Sequence, residues 1–281
     1  MRVLSTRRPR LAAAASLLAF AASALALSHS PAVATPAVTP ASNPLVIGDG
    51  FDTCQAPSSP QMDTFRSQNS FVGIYIYGNS KGCSQDQLGP GGPSWIQHQL
   101  ANGWHFIPYD VDMQAPCTNF AHRFSYNSST AFAQGKTSAD GAVQEGSRLG
   151  FGPSGTIYYD LEGFPSAAND QACLAAARAF ISGYTAEMHA KGYNSGMYGS
   201  AQASYIDFMA GASNIPDYIQ YGESGGANTN SSYISNGHWI YHQRVKQYNL
   251  MVPDSRAPSG TVDWDCANSY LDGTTASSFS C

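Results

Sequence analysis

The stretch Gly155–Phe164, "GTIYYDLEGF", decides how this sequence is read. A short run of Ile and Tyr ends in two acids, Asp160 and Glu162, spaced two residues apart. Alone, an acid pair after a strand-like run is often a solvated turn or a helix cap. The same pattern recurs, however. "LVIGDGFDTC", "FVGIYIYG" and "GWHFIPYDVD" precede this stretch, and "YNSGMYGS", "PDYIQYGE", "YHQRVKQYN" and "GTVDWDC" follow it. These make eight candidate strands, each short and rich in β-branched or aromatic residues.

Helical patterns lie between several of them. In "DQACLAAARAFISGYTAEMHAKGY", Asp170 is placed to cap and Leu174, Ala177, Phe180, Ile181 and Tyr184 form an apolar stripe. Gly192 is placed to stop that helix. "PSWIQHQLANGW" and "STAFAQGKTSADGAVQEGSRLGF" are similar, with Gly103 and Gly150 near their ends. Strands alternating with helices imply parallel pairing through crossovers. Eight strands in roughly 230 residues have the rhythm of a (β/α)8 TIM-type barrel of the α/β class. A doubly wound open sheet is the alternative, but the Gly-x-Gly-x-x-Gly turn of a dinucleotide site is missing. After Gly199 the helical patterns weaken and "YGESGGANTNSSYISNG" reads as loop, so the second half is expected to be distorted, with weak outer helices.

The first 34 residues do not belong to that fold. Arg2, Arg7, Arg8 and Arg10 precede an apolar stretch, and "AVA" at residues 32–34 fits a cleavage site, the order of an export signal. The paired Arg7 and Arg8 resemble a twin-arginine signal, although Pro9 and Arg10 fit that pattern poorly. Residues 35–47 are Pro-, Thr- and Ala-rich and read as a linker, leaving 48–281 for the barrel. No later stretch is apolar for long enough to span a bilayer. Loss of the four arginines takes the formal net charge from -5 to -9. So acidic a chain lacks the basic footprint of a nucleic-acid binder. The expected product is therefore a secreted or cell-wall-associated monomer. All six cysteines (Cys54, Cys83, Cys117, Cys173, Cys266 and Cys281) lie in the exported part, an even count that fits three disulfides. Four of them closely follow candidate strands, which would brace loops around one end of the barrel. Cys117–Cys173 is the favoured pair.

The barrel gives the acids a common address, because active sites form where strand C-termini meet. Asp52 follows strand one, Asp110 and Asp112 strand three, Asp160 and Glu162 strand four, and Asp263 and Asp265 end strand eight. Residues i and i+2 share one face, so Asp160 and Glu162 would both point into the mouth, with Leu161 turned to the helices. Clustered carboxyls keep one another protonated, which supplies the general acid that glycoside hydrolysis requires. Tyr75, Tyr77, Trp104, Tyr109, Tyr158, Tyr198, Tyr221 and Trp264, near the same strand ends, offer apolar faces for sugar rings, and Asp110 and Asp112 are further candidates for binding substrate. Asp265, beside Cys266, and Glu223, before a Ser/Gly loop, read instead as structural or rim residues. Other chemistries lack their anchors. "HWIYH" spaces His238 and His242 by four but has Trp239 where a metalloprotease has an acid. There is no Gly-x-Ser-x-Gly elbow. Neither a metal nor a cofactor is expected.

"GFDTC", "YYDLEGF", "YNSGMYGS" and "GTVDWDC" together resemble a family of secreted bacterial glycoside-hydrolase-like proteins over Gly48 to about Cys266. That family is similar to the family-25 glycoside hydrolases, barrel lysozymes that cleave peptidoglycan. The resemblance implies Glu162 as general acid and Asp160 as nucleophile or as the group orienting a substrate acetamido. Asp52 and Asp263 would bind and tune. The related chitinase pattern Asp-x-x-Asp-x-Asp-x-Glu is half met, with Gly155 and Tyr158 in its earlier acid positions. The implied function is hydrolysis of peptidoglycan or a related cell-wall polysaccharide. The alternative is a non-catalytic barrel that binds such a glycan.

Overall fold

The structure, a computed structural model, describes residues 46–269 and Cys281. The export signal and the linker up to residue 45 lie outside the described residues. Eight strands close into a barrel in sequence order: β1 (Val46–Asp52), β2 (Phe71–Tyr77), β3 (His105–Asp110), β4 (Thr156–Asp160), β5 (Asn194–Ser200), β6 (Tyr218–Gly222), β7 (Gln243–Pro253) and β8 (Thr261–Ser269). All eight candidate strands are present. β1 starts at Val46, inside the expected linker.

The helices are α1 (Ser59–Phe65), α2 (Gly92–Ala101), α3 (Ser128–Leu149), α4 (Gln171–Ala190) and α5 (Ile206–Met209). Asp170 caps α4 by accepting from the Cys173 N–H, as its position predicts. Gly150 and Gly192 close α3 and α4 at φ +99° and +80°, where a side chain would be strained. The sequence reading overlooked α1, whose signature is a capping box: the Ser58 N–H and hydroxyl both bond the Gln61 side chain. The outer layer thins after β5, where α5 is a single turn, in line with the weak patterning there.

One expectation needs correcting. β1 through β7 pair in parallel, but β8 runs antiparallel to both β7 and β1. The link from Pro253 to Thr261 is too short for a crossover and makes a hairpin instead. Asp263 therefore reaches the mouth from the N-terminal end of β8, where it pairs with Asp52 across the closing seam.

Two cores hold the barrel. Phe71, Ile107, Tyr109, Tyr158, Tyr218 and Val245 fill the interior. Outside, Phe51, Phe65 and Trp104 pack around β1 and α1, and Tyr159, Phe180 and Tyr184 pack between β4 and α4. α3 and α4 approach so closely that glycine is required on both. A Cβ on Gly135 would lie 2.1 Å from the Phe180 carbonyl oxygen, and one on Gly183 2.0 Å from that of Phe132. Disulfides join Cys54 to Cys83, Cys117 to Cys173 and Cys266 to Cys281. The first two tie loops at the mouth, and the favoured Cys117–Cys173 pair is among them. Such links stabilise by restricting the unfolded chain. Among the described residues, no helix is long and apolar enough to cross a membrane.

Candidate active site

Strand pairing determines which side chains reach the mouth. On β4, Tyr158 fills the interior, so Asp160, two residues on, faces inward above it and Leu161 turns into the outer core. Across the seam, Asp52 is level with Asp263, and Gly50 with Asp265 one step deeper. The mouth is a cavity of about 510 Å³ whose walls include Asp52, Asp160, Glu162, Asp263, Tyr75 and Tyr198. The Asp-Leu-Glu turn is held from behind by Gln114, a fully buried residue after β3. Its amide donates to the Asp160 carbonyl (2.9 Å) and accepts from the Glu162 N–H (2.8 Å).

Beneath the cavity runs a chain of amides and phenols whose polarity is fixed by its ends. Tyr109 donates to the Gln220 carbonyl oxygen (2.7 Å), so the Gln220 amide nitrogen is left to donate to Asp265 (3.2 Å). Tyr198 donates to the Gln247 carbonyl oxygen (2.8 Å), and the Gln247 nitrogen donates to Asp52 (2.5 Å). Asp263 accepts from the backbone N–H of Met251, which sits at φ +55° in an irregular part of β7.

The electrostatics follow from burial and from mutual repulsion. Burial, reinforced by the charge of Asp263, pushes the Asp52 carboxyl up to about 8 despite its hydrogen bonds. Asp160 is 1% exposed, with the Tyr75 phenol as the hydrogen-bonding group that favours its charged form. Burial first, then the charges of Glu162, Asp52 and Asp110, holds it well above the usual carboxylate range. Asp265 is held up likewise by burial and by Asp52 and Asp263. Glu162 is exposed to the cleft, yet the surrounding walls desolvate its carboxyl enough to raise it, with Asp263 adding and the Gly163 N–H opposing. Burial also raises Asp263, against the Met251 N–H. A carboxyl that keeps its proton near neutral pH and faces a cleft can serve as a general acid.

The structure brings Asp52, Asp160, Glu162, Asp263 and Tyr198 together as expected, with Tyr109 just below them. It separates the rest. Asp110 faces the helices and accepts from Ser138 on α3 (2.8 Å). Asp112 holds a loop by accepting from the side chain and backbone of Asn79. Tyr77 lies against Gly141 of α3, Tyr221 donates to the Thr229 carbonyl, and Trp264 packs on Phe51 and Phe65. Glu223 holds its own loop through Ser231 and Ser232, which fits its reading as a rim residue. His238 meets Asp207, and His242 meets Asn268. Asp265 is interior rather than rim. Tyr75, one of the strand-end aromatics, lines the cleft, whereas the candidates above leave out Gln247, Gln220 and Gln114. Alternation along β6 and β7 could have found both strand glutamines, while Gln114 sits in a loop and leaves no such trace. Among the described residues, one group of His, Cys, Asp and Glu atoms is close enough to hold a metal: Cys117, Asp170 and Cys173. Both of its sulfurs are spent in a disulfide, and Asp170 caps α4.

A closed α/β barrel with inward carboxyls around one mouth defines the broad class, a glycoside hydrolase-like barrel. The chain belongs to the Rv2525c-like, glycoside hydrolase-like domain family, whose model matches residues 64–267. That match starts after Asp52, which β1 adds to the site. An uncharacterised protein of B. stearothermophilus shares the fold, with a TM-score of 0.53 at 16% identity over 78% of this chain and 95% of that one. Two further structures each align at a TM-score of 0.46. The catalytic domain of endolysin ply40, from bacteriophage P40 of Listeria monocytogenes, is 12% identical over 79% of this chain and 94% of its own. The Tat-secreted protein Rv2525c of Mycobacterium tuberculosis is 13% identical over 82% and 98%. No curated protein matches the sequence.

Proposed function

We propose that this chain is an exported glycoside hydrolase acting on peptidoglycan or a related cell-wall polysaccharide. The observation that carries the reading is the convergence of Asp52, Asp160, Glu162 and Asp263 on one cleft that also presents Tyr75 and Tyr198. Glu162 is the general acid, since burial and the charge of Asp263 raise its carboxyl while its side chain stays open to the cleft. It protonates the bridging oxygen as the bond to the anomeric carbon breaks. Asp160 first releases its own proton to water in the cleft and then, as carboxylate, meets the positive charge that develops on the sugar, either as nucleophile or by orienting an acetamido group; it takes a proton back from water when the product leaves. Asp52 and Asp263 bind the sugar and set the local field. Water then completes the reaction and a proton returns to Glu162. The three disulfides support export to an oxidising compartment, and the paired Arg7 and Arg8 favour the twin-arginine route.

Release of reducing ends from purified peptidoglycan tests this reading. Glu162→Gln should lower the rate by roughly 10²–10⁴-fold, the usual contribution of a general acid. A Glu162→Gln variant that releases reducing ends as fast as wild type defeats the assignment. Wild-type protein that binds cell wall but cleaves no glycan would instead identify a binding barrel.

A further inference from the structure

A second hollow adjoins the acidic cleft and has a different chemistry. It measures about 470 Å³, within the ~300–1,000 Å³ range of small-ligand sites. One wall is the segment Cys117–Phe120 after β3, and the other is Gly163–Ser166, which begins directly after Glu162. Phe120 lines both this groove and the cleft, and the residue is 37% exposed. The groove is lined by no acidic or basic side chain. It offers an aromatic face, the exposed amide of Asn119 and the hydroxyls of Thr118 and Ser166.

The walls are braced in place. The Cys117–Cys173 disulfide anchors one side, and the Ser166 hydroxyl donates across to the Cys117 carbonyl (3.1 Å). Arg123 holds the Thr118 carbonyl (2.8 Å). Behind the other wall, Tyr205 donates to the Pro165 carbonyl (3.0 Å) and the Phe164 N–H to that of Ala203 (2.8 Å). A groove fixed from both sides costs little ordering when it binds.

The division of charge tells the two halves apart. A sugar that becomes cationic during cleavage belongs among the carboxyls. The sugar that departs carries no developing positive charge and must lie on the side of the proton donor. We propose that the groove bounded by Phe120 and Ser166 is the leaving-group subsite, taking the uncharged N-acylated sugar on the far side of the scissile bond, with its ring against Phe120 and its polar edge toward Asn119. This rests on the glycosidase reading of Glu162.

Chitin oligomers serve as probes, with affinities measured by titration calorimetry on the Glu162→Gln protein so that nothing is cleaved. A pentasaccharide, long enough to run from the cleft into the groove, should bind at least ~10-fold more tightly than a disaccharide. Ser166→Tyr, which fills the groove at an exposed position, should erase that gain and leave disaccharide affinity unchanged. Asn119→Ala should remove part of it, and unchanged melting temperatures would show that both variants fold. Equal pentasaccharide affinity in wild-type, Ser166→Tyr and Asn119→Ala backgrounds overturns the subsite and leaves the acidic cleft untouched. If the gain is present and lost in Ser166→Tyr while the unmutated protein cleaves no oligomer, the groove stands as a sugar-binding site and its leaving-group role falls with the hydrolase reading.

Discussion

Two nearly identical strings end adjacent strands and meet opposite fates. β3 closes with "YDVD", Tyr109–Asp112, and β4 with "YDLE", Tyr159–Glu162. Tyr109 pairs with Tyr158 and Asp110 with Tyr159. Paired residues share a face, so Asp110 lies level with an outward tyrosine and Asp160 one step beyond it. A one-residue offset in register moves every side chain to the other side of a sheet. On β3 the inward series is therefore Tyr109 and then Val111, which lines the cleft, while Asp110 meets Ser138. On β4 it is Tyr158, Asp160 and Glu162. Local sequence supplies the acids, but the register of the closed barrel decides which of them can do chemistry.

The strongest way to break this comparison is to neutralise the two aspartates in turn. Asp160→Asn should lower turnover by roughly 10²-fold or more, since its charge acts on the reacting sugar. Asp110→Asn keeps shape at a carboxyl that faces the helices and whose ionisation burial opposes, so turnover should stay within about twofold of wild type. Comparable losses of hydrolysis in both variants would mean that register does not separate the two roles.

Next in size is a change of volume on the outer face. That face should tolerate an isosteric swap such as Asp110→Asn, but it has no room between α3 and α4. Gly135→Ala puts a methyl group against the Phe180 carbonyl, a backbone atom that cannot turn aside. Overpacking should cost roughly 1–3 kcal/mol beyond the ~1 kcal/mol that alanine gains in a helix. A thermal melt should show a fall of about 3–10 °C, with activity per folded molecule retained. A melt equal to wild type would show that the helix pair can spread.

How much of this could be read in advance follows from the same geometry. The strands, the loop-rich second half and the Asp170 cap were legible because each is set by residues close together in sequence. The acids at the mouth were legible because strand ends gather them whatever the register. Asp160 and Glu162 face inward as their spacing predicts, but that Asp110 and Asp112 do not was hidden, since offset depends on pairing between strands and nothing in "YDVD" distinguishes it from "YDLE". The reversal of β8 was legible in principle from the short link after Pro253, but Asp263 reaches the mouth in either direction and the difference left no mark on the site. Tyr77, Tyr221 and Trp264 were placed in the mouth by nearness to strand ends. They pack outside because alternation, a bulge after Tyr75 and the outer aromatic layer claim them.

The smallest expected effect concerns stability and sharpens the contrast between inward and outward acids. The Asp52 carboxyl titrates near 3.8 when unfolded and near 8 when folded, mainly through burial. Between those values the native state binds more protons than the unfolded one. Stability therefore falls as pH rises from about 4 to about 8 and levels off above. Asp52→Asn keeps an oxygen for the Gln247 amide and removes the charge that burial penalises. Asp263 and Asp265 still carry part of the strain, so only part of the loss is recovered. The variant should melt roughly 2–6 °C higher than wild type at pH 9 and within about a degree of it at pH 4, in parallel melts across the pH range. A variant that gains equally at both pH values would place the benefit in packing rather than in the buried charge, and the inward acids would then be no more strained than the outward ones.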